Sequence, residues 1–140
     1  MTSVSASDAQ DQAGLETTMV AFDYVLLFVH DVGVSTQFYT KLLECEPLAL
    51  SPTFVRFPLG SGAQLELWQS DRVDPPSDIT GGGMELGVAV ADAEAVARLF
   101  EDWEGKGVPF AQTLTTMAFG QTFVALDPDG HRLRVAVLNP

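Results

Sequence analysis

Cysteine occurs once in the 140 residues, at Cys45, so no disulfide can form within the chain. A lone thiol fits a reducing compartment, and the cytoplasm is the expected location. Basic residues are scarce too: 7 Lys and Arg stand against 19 Asp and Glu, a net charge of −12. Such a field repels nucleic acid and anionic membrane and favours cationic partners, besides keeping the surface well solvated. No apolar run approaches the roughly 18 residues a membrane span requires. The first twenty residues hold no Lys or Arg and no continuous apolar block, so they do not read as a secretory signal. They read as a polar tail, 1–20, with one helical turn near Leu15. Residues 21–140 are long enough for a single domain with a substantial core.

The stretch FDYVLLFVHD, residues 22–31, predicts a strand running into a helix cap. Phe22, Tyr24, Leu26 and Phe28 alternate with Val25, Leu27 and Val29, so both faces are largely apolar. Asp31 then caps a helix whose apolar face carries Val34, Phe38 and Leu42. The arrangement recurs 61 residues later. Asp92 follows a strand ending at Val90, and Val96, Leu99, Phe100 and Trp103 share one helical face. Breakers end each helix, Glu46-Pro47 in the first half and Gly105-Lys106-Gly107 in the second. Extended runs follow near Leu48–Leu50, at Phe54–Phe57 and Ala63–Trp68, then at Val108–Gln112, Thr122–Leu126 and Arg132–Leu138. Both halves therefore read β-α-β-β-β, about 21–69 and 83–139, joined by a Pro- and Gly-rich linker over 70–82. A unit used twice in this way buries one face of each small sheet against its own helix. In DPDG, residues 127–130, Pro128 and Asp129 set a hairpin turn and Gly130 takes the positive φ it needs. His131 follows at the turn's edge, and His30 lies at a strand end.

These paired units resemble the glyoxalase, bleomycin-resistance and extradiol-dioxygenase superfamily, also called vicinal oxygen chelate proteins. The matching stretches are YVLLFVHDVGVSTQFYTKLL at 24–43, GAQLELW at 62–68, GGMELGVAVAD at 82–92 and FVALDPDGHRLRV at 123–135. The resemblance implies an α+β fold in which two tandem βαβββ modules form a curved, cup-like mixed sheet with helices on the outside. It also implies that four strands each send one residue into the cup, where metal-dependent members place histidines and carboxylates. Carried over by motif, those positions are Tyr24, Glu66, Glu85 and Arg134. Arg134 is a permanent cation that can only donate, and Tyr24 stands where a histidine would be. Neither His30 nor His131 repairs the loss, so no metal and no other cofactor is expected.

The four residues are instead expected to form one Arg-centred cluster, Glu66 and Glu85 both pairing with Arg134. Leu26, Phe28 and Trp68 would wall the cup, joined by Met84, Met117 and Phe119. The resulting expectation is a metal-independent binding protein for a small molecule, a cationic or aromatic drug or metabolite, similar to the bleomycin-resistance branch. The usual metal ligands are replaced at two of the four positions, which leans against an enzyme, although a metal-free one using Glu66 or Glu85 as general base stays open. The alternatives are a metal-dependent lyase, isomerase or dioxygenase of the same superfamily, and a dimeric interaction module without a ligand. The resemblance also implies a homodimer.

Overall fold

The computed structural model describes residues 20–137 other than 61 and 80, so the turn expected near Leu15 lies outside the described residues. The first module runs β1 (Tyr24–Val29), α1 (Val32–Leu43), β2 (Ala49–Leu50), β3 (Phe54–Pro58) and β4 (Gln64–Gln69). A short 3-10 turn, Ser70–Arg72, opens the linker. The second module runs β5 (Glu85–Val90), α2 (Ala93–Gly105), β6 (Phe110–Met117), β7 (Gly120–Leu126) and β8 (Arg132–Val137). The twofold βαβββ order expected from the repeat is what forms. There are two four-stranded sheets, ordered β1-β4-β3-β2 and β5-β8-β7-β6. In each, the first strand pairs in parallel with the last, β1 with β4 and β5 with β8, and the remaining pairs are antiparallel.

Each sheet has a helix face and an open face. Val29, Leu65, Leu67, Phe57 and Val55 of the first sheet are buried, as are Phe123, Leu133 and Val135 of the second. With Tyr39, Val96 and Trp103 of the helices they form one core that unites both modules. Aromatic edges knit the second half, Trp103 against Phe123 at 90° and Phe100 against Phe123 at 66°. Strand alternation then leaves Tyr24, Leu26, Phe28, Glu66 and Trp68 on the open face of the first sheet. Glu85, Gly87, Ala89, Arg132, Arg134 and Ala136 lie on that of the second.

The expected caps are present. Asp31 Oδ1 accepts from the Val34 amide at 3.2 Å and Asp92 Oδ1 from the Ala95 amide at 2.8 Å. The apolar stripe of α1 differs from the expected one. Val32, Ser35, Tyr39 and Leu42 are its buried residues, whereas Val34 is 50% exposed and Phe38 packs at the margin. The helix is rotated so that Tyr39 enters the core, where its hydroxyl donates to Asp127 Oδ2 at 2.7 Å. Strand β6 also runs five residues past the expected Gln112, to Met117, because alternate threonines there continue the β-ribbon with β7. Equivalent positions in β1 and β5, such as Leu26 and Gly87, lie 61 residues apart. Their partners Glu66 and Arg134 lie 68 apart, so the second module carries seven extra residues, most of them in this ribbon.

The DPDG turn is more than a hairpin connection. Gly130 has the expected positive φ of 83°, and Asp127 Oδ1 accepts from the amides of Asp129 and His131, both at 2.9 Å. Across the module boundary, Asp129 accepts from the His30 amide at 2.9 Å and the Ser35 hydroxyl at 3.3 Å, beside the first turn of α1. The His131 ring bonds the Phe28 carbonyl through Nε2 at 3.0 Å. This turn therefore latches module two onto the end of β1. The linker packs on it as well, since a Cβ at Gly81 would come within 2.5 Å of the His131 amide nitrogen. At the other end of the helices, Lys41 Nζ donates to the Lys106 carbonyl and Lys106 Nζ to that of Lys41, at 2.9 and 3.1 Å. Each lysine thus satisfies a backbone oxygen at the other helix's end.

Candidate functional site

The four positions expected to converge do so only in part. Arg134 grips Glu85 with two parallel bonds, Nε to Oε1 at 2.8 Å and Nη2 to Oε2 at 3.1 Å. Its Nη1 donates to Gln112 Oε1 at 3.1 Å and to Thr122 Oγ1 at 3.3 Å. Arg132, directly opposite Glu85 in the parallel register, adds a third contact at 3.1 Å. The hydrogen bond from Arg134, with smaller contributions from both positive charges, lowers the Glu85 carboxyl below the ordinary glutamate range.

Glu66 does not share Arg134. It pairs with Arg56 across the β3–β4 hairpin, Arg56 Nε to Glu66 Oε2 at 3.0 Å, and is itself buried. The physical reason is register: Arg56 lies opposite Glu66 on the neighbouring strand, while Arg134 belongs to the other sheet. The expected single Glu–Arg–Glu cluster is thus two separate groups, the Arg56–Glu66 pair of the first module and Glu85 between Arg132 and Arg134 in the second. Tyr24, at the start of β1, is 56% exposed and joins neither.

A cavity of about 430 Å³ opens over β5 and β8, lined by Glu85, Gly87, Val88, Ala89, Arg134, Ala136 and Val137. That is within the roughly 300–1,000 Å³ of small-molecule sites. Its floor is nearly bare of side chains. Gly87 lies in mid-strand without a positive φ, and a Cβ there would meet no atom within 4 Å. Neither backbone conformation nor packing within the chain calls for glycine at this place. A glycine in a strand interior weakens the strand and often marks close approach of a ligand or another backbone. The equivalent positions of the first sheet hold bulk instead: Leu26 where the second has Gly87, Phe28 where it has Ala89, Trp68 where it has Ala136.

Leu26 and Phe28 line a different cavity, of about 350 Å³, beside the linker, Met84 and His131. Trp68 is partly buried between Phe28 and Phe54 on the adjacent strands. Met84, Met117 and Phe119 stand 59%, 41% and 44% exposed, and the Phe119 ring lies 6.0 Å from the Arg134 guanidinium carbon. Arg56, Arg132, Gln112 and Thr122 were not anticipated. Arg56 was legible in principle: a tight hairpin closing at Leu59 and Ala63 sets residues 56 and 66 opposite each other.

Three comparisons bear on this geometry. A model of the Glyoxalase/Bleomycin resistance protein/Dioxygenase superfamily matches residues 21–135. The chain belongs to that superfamily. It is 32% identical over 117 residues to a phenazine antibiotic resistance protein of Enterobacter agglomerans, covering 81% of this chain and 89% of that one. The solution structure of a protein from Agrobacterium tumefaciens is 42% identical, with a TM-score of 0.78 over 87% of this chain and all of the other. A glyoxalase-related enzyme from Fulvimarina pelagi, 21% identical, shares the fold with a TM-score of 0.75 over 86% of this chain and 89% of its own.

Metal-using members of the superfamily need donors that converge on one ion. Here one of the four positions is a cation, two are carboxylates already tied to arginines in different sheets, and the fourth is an exposed phenol. Among the described residues no group of three or more His, Cys, Asp and Glu side chains comes together. This donor set does not fit a superfamily metal. Nor is any helix among the described residues long and apolar enough to cross a membrane.

Proposed function

We propose that the chain is a metal-independent binding protein for a flat aromatic small molecule, of the antibiotic-resistance type, which sequesters its ligand without changing it. The observation that carries this reading is the side-chain-poor floor of Gly87, Ala89 and Ala136, ending at the Glu85–Arg134 pair. A planar ring can lie flat on such a floor at van der Waals distance, whereas a branched or globular ligand gains little from it. The resemblance to a phenazine resistance protein supports the same ligand class. A carboxylate held ionised by arginine is a weak proton acceptor, so Glu85 makes a poor general base.

The working unit is a homodimer in this reading. Met84, Met117 and Tyr24 leave apolar surface exposed to solvent. The first sheet of a second copy, with Leu26, Phe28 and Trp68, supplies the bulk that the floor lacks. Calorimetric titration with phenazine should give one site per chain, unchanged after exhaustive treatment with chelator. Gly87→Val, which fills the floor without straining the strand, should abolish it. Binding that disappears with the chelator and returns with a divalent metal would sink the metal-independent reading, and sedimentation as a monomer would remove the dimer.

A further inference from the structure

We propose a second ligand site against the linker, for an organic amine: an apolar body carrying one ammonium group. It is separate from the floor over β5 and β8 and does not depend on what binds there. The linker leaves β4 at Gln69, is anchored by the buried Val73, and comes down on the DPDG turn at Gly81. Two adjoining cavities lie along it, of about 350 and 310 Å³, sharing Phe28, Ser77 and Ile79. The first is apolar, lined by Leu26, Leu27, Phe28, Ile79 and Met84 with the backbone of Gly81–Gly83. Side chains alternate between the faces of a strand, so three successive residues of β1 can border one space only at the strand's free edge. β1 has such an edge, since β4 is its single neighbour in the sheet. Leu26 and Phe28 can thus meet this ligand from the edge and a second copy from the open face. Ile79 and Met84 are 77% and 59% exposed, an apolar rim that a guest would cover.

The second cavity has the opposite character. Asp71, Asp78 and Asp129 line it, and no Lys or Arg does. Arg72, 3.8 Å from Asp71, offsets one of the three charges, which leaves two. Asp129 accepts from the His30 amide at Oδ1 and the Ser35 hydroxyl at Oδ2, so each oxygen keeps a further lone pair. The aspartates border the space without converging, since no group of three or more His, Cys, Asp and Glu side chains comes together among the described residues. A metal ion needs donors at bonding distance from one point, whereas a bulky ammonium does not. Apolar walls at one end, with surplus acceptors and negative charge at the other, select a cation with a hydrophobic body. The local balance here has the same sign as the net charge of −12.

The test is calorimetric titration of the full chain, near neutral pH, with 1-naphthylmethylamine, 1-naphthylmethanol and 1-naphthylacetate, three probes of one ring system and different charge. The amine should bind about fivefold or more tightly than the alcohol, the scale of one partly exposed ion pair. The acetate should bind worst, and added salt should weaken the amine. Two blocking variants assign the site. Gly83 has no positive φ, and a Cβ there would meet no atom within 4 Å, so Gly83→Leu puts bulk into the apolar cavity and should abolish amine binding. Gly87→Val, which fills the floor over β5 and β8, should leave it unchanged. Asp71→Asn combined with Asp78→Asn should bring amine and alcohol toward parity. No binding of the amine, equal affinities for the three probes, or a preference for the acetate overturns the proposal. So does amine binding that is undiminished in Gly83→Leu, with circular dichroism showing an intact fold, or that Gly87→Val removes.

Discussion

Replacing Tyr39 by Phe removes one oxygen and tests how firmly the two modules are held together. The ring is retained, with its edge contact to Phe38 at 5.0 Å and its tilted contact to Phe57 at 6.4 Å, so packing changes little. What is lost is the 2.7 Å bond from the hydroxyl to Asp127, between groups that are 1% and 4% exposed. Burial and the neighbouring carboxylates push the Tyr39 pKa far up, so the phenol is a donor at every accessible pH. Asp127 keeps its two amide donors on Oδ1, but Oδ2 loses its described partner. A buried bond to a charged group is worth about 1.5–3 kcal/mol. For a domain of this size that lowers the melting temperature by about 5–15 °C. Urea denaturation of both forms measures it directly, with m unchanged and the midpoint lowered. A double-mutant cycle with Asp127→Asn should return a coupling of about 1–2 kcal/mol. A single-variant loss under about 0.5 kcal/mol would refute the reasoning, because Asp127 would then have an equivalent partner ready.

Arg56→Ala should cost about 1–3 kcal/mol by stranding the buried Glu66, and adding Glu66→Gln should recover part of it in the same denaturation assay. Gly81→Ala should lower the melting temperature, because its Cβ would collide with the backbone of Gly130 and His131; a silent change would mean the linker does not sit on the turn. Glu85 has a folded pKa below its unfolded value, so its ion pairs stabilise the fold above the unfolded pKa. That contribution is lost as pH falls through the folded one. Arg134→Gln should flatten this acid-side slope, and added salt should shrink it, since the Glu85 side chain is 33% exposed. Of the two tryptophans, Trp103 is 4% exposed within the core, while Trp68 lies on the open face. In the proposed dimer, where Trp68 of a second copy covers the floor, ligand quenching should be weaker in Trp68→Phe than in the native chain, and equal quenching would place the ligand away from Trp68.

The duplicated frame was legible because alternation, caps and breakers act locally and recur at a constant spacing. Asp31 and Asp92 announce their helices wherever the rest of the chain goes. The face of α1 was misread because its pattern alone gives Val34, Phe38 and Leu42 equal claim with Val32, Tyr39 and Leu42. The hydrogen bond between Tyr39 and Asp127, 88 residues apart, decides between them. The Glu85–Arg134 pairing followed from strand position, but the fate of Glu66 depended on which arginine stood nearer, and that is a question of sheet register. Arg132 escaped notice for the same reason, since its place opposite Glu85 appears only once the parallel register is known. The bare floor was hidden because a glycine and two alanines carry no chemistry to attract attention. Their meaning lies in the space above them.

The seven residues by which module two exceeds module one have a consequence for how this scaffold changes. A residue inserted within an inner strand would shift that strand's register against its neighbours and turn side chains to the wrong face. A hairpin can grow outward at its tip, and β6 and β7 have done so, with irregular pairing between Phe110 and Thr115 taking up the mismatch. The tip carries Met117 and Phe119 above Arg134. Trimming or extending that ribbon would change what stands over the Arg134 guanidinium while the caps, the latch and the core stay as they are.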